Sequence, residues 1–349
     1  MTFVKQFDKK LVIANDDWLR ICGTENVDQI HIPANGKAST AIVSIESSKS
    51  GNYVAVAVEN KQIFIIDRSF KIFKTFATNR APSKVCFSAT DDVIVADRTG
   101  DVYRYPLGPG EPTLLLGHLS VILDVAVSPC GNYIITCDRD EKIRVSCYPN
   151  AYNIVTYCLG HRQFVTTLKI IESKRVLVSA SGDGTVRFWD YLKGEQLNKI
   201  DTRSLTDNCV VQKFVESVGI DCVDVHTVPI SNLDLCERAD AVYVALSLYK
   251  MNKIFVYTLS VEDLICKPLT SFESGSSNFG FCFDQLLHSV HGKTCSFLLP
   301  DQPARELNRD LLSNIDGLFV SDDAKLLTLF KKKFNNVEDY YEKKRQRMV

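Results

Sequence analysis

Asp138-Arg139-Asp140-Glu141-Lys142-Ile143-Arg144-Val145-Ser146 is the stretch of this 349-residue chain where side-chain chemistry is densest. Arg139, Asp140, Glu141, Lys142 and Arg144 place five charges within six positions. Strand alternation puts Lys142 and Arg144 on one face and Ile143 and Val145 on the other. A mixed-sign cluster on a tight turn suits docking of a partner with complementary charge, where it sets orientation and association rate. A solvated turn whose charges pair among themselves is the other reading. Arg144 is the best candidate for a desolvated contact, because its planar fork can hold a carboxylate through two hydrogen bonds. It can equally brace its own strand.

A second set is His161, Ser179, Asp183 and Trp189. A His and an Asp can serve as a catalytic pair, but these four residue types also form a buried polar relay. His161 is expected to meet Asp183 in a tight turn, with the Ser179 hydroxyl linking onward to the Trp189 indole N–H, because buried polar groups must be paired. Aligning Ser181-Gly182-Asp183-Gly184 with Asp138-Arg139-Asp140-Glu141 assigns the matching structural roles to His118 and Asp140. A third set is the C-terminal Lys331, Lys332, Lys333, Lys343, Lys344, Arg345 and Arg347. Residues 331–349 hold seven basic and three acidic side chains. This tail reads as an arm for an RNA backbone or a partner, against the plainer reading of a frayed, solvated end.

Other chemistry is not expected. The chain has no Gly-x-Ser-x-Gly elbow, no Walker loop and no dinucleotide fingerprint. Gly182-Asp183-Gly184 falls at a strand–strand turn, where it cannot present a helix N-terminus to a phosphate. His288 and His291 are three apart, which places them on opposite faces of a strand. The twelve cysteines include no Cys-x-x-Cys and many sit inside apolar runs, so they read as reduced, buried small hydrophobes. No catalytic residue, cofactor site or metal site is expected. Lys plus Arg is 41 and Asp plus Glu is 42, which argues against a wholly basic nucleic-acid-binding surface. No apolar run reaches the ~18 residues of a membrane span. Met1–Gln6 lacks a basic-then-apolar leader, so secretion is not expected.

The elements that must position these residues are short strands. Runs such as Tyr53–Val58, Ile63–Ile66 and Val85–Phe87 are rich in Val, Ile and Phe and are separated by turn signals. Gly117-His118 and Gly160-His161 open two similar segments, and the second ends in Trp189-Asp190. The His118-to-His161 step of 43 lies within the repeat length of a WD β-propeller. Weaker repeats cover about 40–75, 82–107, 205–260 and 264–299. The expected fold is an all-β, seven-bladed WD-repeat β-propeller over 1–330, followed by the basic tail 331–349. The seventh blade would pair N-terminal strands (Leu11–Ala14, Trp18–Cys22) with C-terminal ones (Gly317–Val320, Leu326–Phe330). Such pairing would remove the open sheet edge. Excess length is expected at residues 201–220.

The charged stretch, followed by Tyr148-Pro149 and Cys158-Leu159-Gly160-His161, resembles the non-catalytic WD-repeat subunit of tRNA (guanine-N7)-methyltransferase, the WD-repeat protein 4 family. The tail Phe334-Asn335-Asn336-Val337-Glu338-Asp339-Tyr340-Tyr341 is similar to that family's C-terminus. The resemblance implies a division of labour. A separate catalytic subunit binds S-adenosylmethionine and methylates N7 of a variable-loop guanosine in tRNA, and the propeller holds that subunit as a heterodimer partner. It further implies that Glu141, Lys142 and Arg144 lie at the subunit interface, with Arg139 beside them, and that tRNA is met through the complex. Residence in the nucleus, and in the cytoplasm as well, is the expected localisation; no membrane partner is. The alternative is a substrate receptor or scaffold for a cullin-type ubiquitin ligase, although the Arg often found two residues after Trp-Asp is absent after Trp189-Asp190. A propeller hydrolase ranks lower, because no convergent carboxylates or metal ligands are apparent.

Overall fold

The computed structural model describes residues 2–7, 10–22, 27–33, 41–219, 225–238, 241–260, 262–273, 279–282, 286–291, 293–297, 305–306 and 324–331. The strands gather into sheets in which each pairs antiparallel with the next in sequence. Blade 1 is β1 (Thr2–Phe7), β2 (Lys10–Asn15), β3 (Trp18–Cys22) and β4 (Val27–His31). Blade 2 is β5 (Ile42–Ser47), β6 (Tyr53–Val58), β7 (Gln62–Asp67) and β8 (Ile72–Ala77). Blade 3 is β9 (Pro82–Phe87), β10 (Val93–Asp97), β11 (Asp101–Tyr105) and β12 (Thr113–Gly117). Blade 4 is β13 (Ile122–Val127), β14 (Tyr133–Asp138), β15 (Ile143–Cys147) and β16 (Ile154–Cys158). Blade 5 is β17 (Val165–Ile171), β18 (Val176–Ser181), β19 (Thr185–Asp190) and β20 (Glu195–Asp201). Blade 6 is β21 (Ile230–Glu237), β22 (Ala241–Leu248), β23 (Lys253–Ser260) and β24 (Cys266–Glu273).

The second strand of a blade is covered on both faces by neighbouring blades. That is why Val54–Val58, Ile134–Asp138 and Val176–Ser181 are buried throughout rather than alternately. The outermost strands have one free edge and expose much of their surface, as in Ile72–Ala77 and Glu195–Lys199.

The expectation of seven blades, the last shared between the two chain ends, is corrected here. Among the described residues six sheets are complete blades. Blade 1 takes all four of its strands from residues 2–31, and no described C-terminal strand joins it. What closes the ring is a reduced sheet of β25 (Phe279–Cys282), β26 (Leu286–His291), β27 (Lys293–Phe297) and a two-residue β28 (Arg305–Glu306). Its inner strand packs beside β1: a Cβ on Gly280 would lie 2.8 Å from the Val4 carbonyl oxygen. Closure is thus by packing of sheet faces and not by strand pairing. Gly317–Val320 lies outside the described residues. Leu326 and Leu327 belong to a helical turn, Ala324–Leu327, and not to a strand.

Six inner strands each aim one charge at the central channel, with alternating sign. Lys5 meets Glu46 at 2.9 Å, Lys84 meets Asp124 at 3.4 Å and Lys169 meets Asp234 at 2.7 Å. Burial by itself would raise the Glu46 pKa, but Lys5, Lys169 and Lys84 together hold the carboxyl below its usual range. Buried charges persist only when paired in this way.

The excess length near 201–220 is a 3-10 turn, Thr202–Leu205, and a helix α1, Asn208–Val218. Val211, Phe214, Val215 and Val218 recur at helical spacing, and Phe214 is buried. Phe214 stacks edge-on against Tyr249 of blade 6 at 5.2 Å and meets Phe330 at 5.7 Å. Phe330 also stacks edge-on against Phe164 at 4.9 Å and is 2% exposed. Leu326, Leu327 and Leu329 pack against the same cluster. The C-terminal segment 324–331 is therefore a strap fastened over blades 4 to 6. Burial of one phenylalanine of this kind contributes about 1.5–3 kcal/mol.

Candidate partner interface

In blade 5, the His161 ring lies 3.0 Å from Asp183 Oδ2 through Nδ1 and 2.7 Å from Ser179 Oγ through Nε2. The Trp189 indole donates to that same Oγ at 2.8 Å. Asp183 also accepts from Thr185 Oγ1 at 2.6 Å and from the Arg162 amide at 3.0 Å. Burial would raise the Asp183 pKa, but these hydrogen bonds outweigh it and hold the carboxyl far below its ordinary value. The same burial draws the His161 pKa below its ordinary 6.5, in spite of Asp183. A neutral, fully bonded imidazole sealed in the blade holds a turn; it does not carry protons to a substrate.

Blade 4 repeats the His–Asp–hydroxyl part of the relay, with Thr136 in place of the Ser and Ser146 standing where blade 5 has Trp189. His118 lies 3.0 Å from Asp138 Oδ2 and 2.8 Å from Thr136 Oγ1. The structural role assigned to Asp140 by alignment is taken by Asp138, two residues earlier. Asp138 Oδ1 also accepts from the amides of Asp140 and Lys142 at 2.9 and 3.0 Å, clamping the turn. Repeat alignment missed this because Asp138 stands opposite Ser181. The same Asp–x–x arrangement in blade 3, where Asp97 accepts from Thr99 and Asp101, was the available signal.

With the turn clamped, its charges point outward and most find partners within the chain. Arg139 Nε donates to the Leu329 carbonyl at 3.0 Å. Lys331 donates to Glu141 Oε1 at 2.5 Å and lies 3.6 Å from Asp140. Glu141 sits at φ +68°, where its counterpart Gly184 sits at +69°. That left-handed position is generic to these turns, since Lys61 and Lys250 occupy it in blades 2 and 6. Lys142 is exposed, and its ammonium has no ion pair or hydrogen bond with another described residue.

Arg144 lies on the face opposite Ile143 and Val145, both fully buried. Its guanidinium donates to Ser146 Oγ, the Gly117 carbonyl and the Ala151 carbonyl, at 3.0, 3.1 and 3.0 Å. The fork is used inside the blade, the arrangement expected of the bracing role, the second of the two readings of Arg144. Arg187 does similar work in blade 5 through Thr185 and Gln196. Of the tail residues, Lys331 belongs to the strap. Lys332, Lys333, Lys343, Lys344, Arg345 and Arg347 lie outside the described residues.

The turn, the strap and the loop 117–121 thus form one surface at the junction of blades 4 and 5. The Arg139 amide donates to the Val121 carbonyl at 3.0 Å, so that loop is fixed as well. The tRNA (guanine-N(7)-)-methyltransferase non-catalytic subunit wdr4 of Danio rerio is 33% identical over 340 residues, covering 89% of this chain and 78% of that protein. The protein of the same description called wuho, from Drosophila yakuba, is 30% identical over 345 residues, covering 90% of this chain and 76% of its own.

This chain belongs to that family of non-catalytic subunits.

Residues 109–274 match the family described as the tRNA methyltransferase TRM82 WD40 domain, a span that holds the charged turn, both relays and α1. Among solved structures, a chain of the mitotic checkpoint complex superposes with a TM-score of 0.67 at 12% identity, covering 83% of each chain. The β-propeller domain of Myceliophteria thermophila Cps50 (Swd1) does so with 0.63 at 13% identity, covering 82% of this chain and 91% of that one. At those identities the likeness speaks for the fold alone. Among the described residues no group of His, Cys, Asp and Glu is placed to hold a metal ion, and no helix is long and apolar enough to cross a membrane.

Proposed function

We propose that this protein is the non-catalytic subunit of a tRNA (guanine-N7)-methyltransferase. It binds a catalytic, S-adenosylmethionine-dependent subunit and supports formation of N7-methylguanosine in the tRNA variable loop. One observation carries the reading: about nine-tenths of the chain aligns with relatives described as non-catalytic subunits of that enzyme. Those relatives favour this reading over the ubiquitin-ligase receptor. The propeller's part is mechanical. A closed ring of blades, locked by the channel ion pairs and by the strap, presents a rigid surface, and rigidity lowers the entropy cost of holding a partner in one orientation.

The docking face is the charged turn with its flanking loop. Lys142 is its exposed charge, Glu141 is half-buried and paired with Lys331, and Arg144 contributes by bracing. The tail from Lys332 to Arg347 reaches tRNA phosphates or the flank of the catalytic subunit that faces them. The complex works in the nucleus. The decisive experiment is reconstitution: each subunit alone and the two together are assayed for methyl transfer to tRNA. Transfer only by the pair, or much faster by the pair, is expected. Transfer by this chain alone, or no change on adding it, overturns the proposal.

A further inference from the structure

The blades of one propeller are near-copies, and near-copies are prone to misassembly and to exchange between chains. Here the inner strands carry a feature that tells the blades apart. Lys5 of β1, Glu46 of β5, Lys84 of β9, Asp124 of β13, Lys169 of β17 and Asp234 of β21 alternate in sign around the channel. Their ion pairs join blade 1 to 2, blade 3 to 4 and blade 5 to 6. The seams in between are held by side chains on the neighbouring backbone. Ser44 Oγ accepts from the Val85 amide at 3.2 Å, and Asp124 Oδ2 accepts from the Leu168 amide at 2.8 Å. Asn232 Nδ2 donates to the Phe279 carbonyl of β25 at 3.0 Å.

The three ion pairs are not isolated from one another. Burial by itself would raise the Glu46 pKa; Lys5 lowers it, and so do Lys169, three blades away, and Lys84. Burial would lower the Lys84 pKa, but Asp124 and also Glu46 hold it above its usual value. Lys169 is held high against burial by Asp234, Glu46 and Asp124. Each of these charges therefore senses members of the other pairs across the channel. Counting the reduced sheet, seven inner strands ring that channel among the described residues. Signs that alternate around a closed ring of odd number must set like beside like somewhere, unless one position carries no charge. The inner strand β25 has Gly280 at that position. A Cβ there would lie 2.8 Å from the Val4 carbonyl oxygen and 3.5 Å from Asp234 Oδ2. The two ends of the alternation, acidic Asp234 and basic Lys5, thus flank a residue without a side chain.

We propose that the six channel charges act as one ring and not as three separate pairs: their alternation fixes which blade can neighbour which, and Gly280 marks the place where the ring closes. A skipped or exchanged blade sets like charges together, as when blade 1 meets blade 3 and Lys5 faces Lys84. Buried ion pairs contribute little net stability over apolar packing, but a buried charge left without its partner is strongly destabilising. The ring therefore penalises wrong orders more than it rewards the right one. It is a property of this chain alone and holds whichever partner the propeller serves.

The test uses the full chain, with stability read by thermal melt and assembly after refolding by sedimentation. Lys5→Glu combined with Glu46→Lys keeps the ion pair but sets a lysine at 46 near Lys84 and Lys169. The swapped chain should melt ~5 °C or more below the wild type, and should refold with a larger share of chain-exchanged oligomer. Adding Lys84→Gln should cost less in the swapped chain than in the wild type, because there it removes a like charge. A swapped chain that melts and refolds like the wild type, or equal costs of Lys84→Gln in the two backgrounds, overturns the proposal. A second measurement does not depend on the swapped chain folding. In Lys169→Gln, the Glu46 carboxyl, followed by carbon-13 NMR, should titrate at higher pH than in the wild type, although its own partner Lys5 is untouched. An unmoved titration means independent pairs and overturns the proposal as well. For closure, Gly280→Asp should be more destabilising than Gly280→Asn, which has the same shape without the charge. Equal losses overturn the closing role of Gly280.

Discussion

The Lys331 ammonium lies 2.5 Å from a Glu141 carboxylate oxygen, joining residues 190 positions apart in the chain. The contact ties the C-terminal segment to the turn between β14 and β15. It also places the first basic residue of the tail, Lys331, within the fold.

Glu141→Gly should change the melting temperature of the isolated chain by no more than ~2 °C. Relief of the left-handed strain, about 1 kcal/mol, offsets an ion pair that is only partly buried and contributes less than that. Amide exchange over 324–331 should quicken at the same time. A melting point lowered by ~5 °C or more would show that the pair holds the fold and not merely the strap.

Phe330→Ala should be costly, since it empties the space between Phe164 and Phe214. Loss of a buried phenylalanine typically costs about 3–5 kcal/mol, so the denaturation midpoint should fall clearly. Phe330→Leu should recover much of the loss. An unchanged midpoint for Phe330→Ala would mean that the strap does not dock in solution.

Arg144→Met in the isolated propeller should destabilise it by ~1–3 kcal/mol, because two backbone carbonyls and a hydroxyl lose their donor. Denaturant unfolding of the chain without its partner measures this. A stability equal to that of the wild type would return Arg144 to the role of a direct docking contact.

Acid should weaken the fold through His161. Its folded pKa lies below 6.5 because burial disfavours the charged ring. Below pH 6.5 the unfolded chain therefore binds a proton that the folded chain refuses. The stabilisation is complete above that pH and is lost as pH falls toward the folded value. Unfolding midpoints between pH 8 and 5 should show the decline, and it should be shallower in His161→Asn. Equal slopes would place the acid sensitivity elsewhere.

Removing 332–349 should flatten the salt dependence of tRNA binding by the complex. Each phosphate neutralised, with release of its counterions, contributes a slope of about −0.9 in log affinity against log salt on duplex DNA and less on single strands. Binding measured from low to moderate salt gives the slope. An unchanged slope would leave the tail without a phosphate role.

The all-β repeat architecture was legible in the chain itself, because period-two runs of Val and Ile and a 43-residue step between Gly-His pairs are local features. The His161–Asp183–Ser179–Trp189 set was legible for the same reason: each residue type has a fixed place within one repeat. Register within a repeat was less so. Asp138 took the position expected for Asp140, since either residue can reach the histidine and only the bend of the turn selects one. The ends of the chain were misread. An apolar run such as Leu326–Phe330 has the composition of a strand, and nothing local distinguishes a strand edge from a plug. The cavity left between Phe164, Phe214 and Tyr249 decided it, and that cavity exists only once blades 4 to 6 and α1 are assembled. Arg144 shows the same limit. Its sequence neighbours suggest a charge offered outward, whereas the carbonyls of Gly117 and Ala151, brought beside it by the β14–β15–β16 pairing, take up its donors. Residue type and spacing determined which groups this protein has; long-range packing determined which of them remain free to meet a partner.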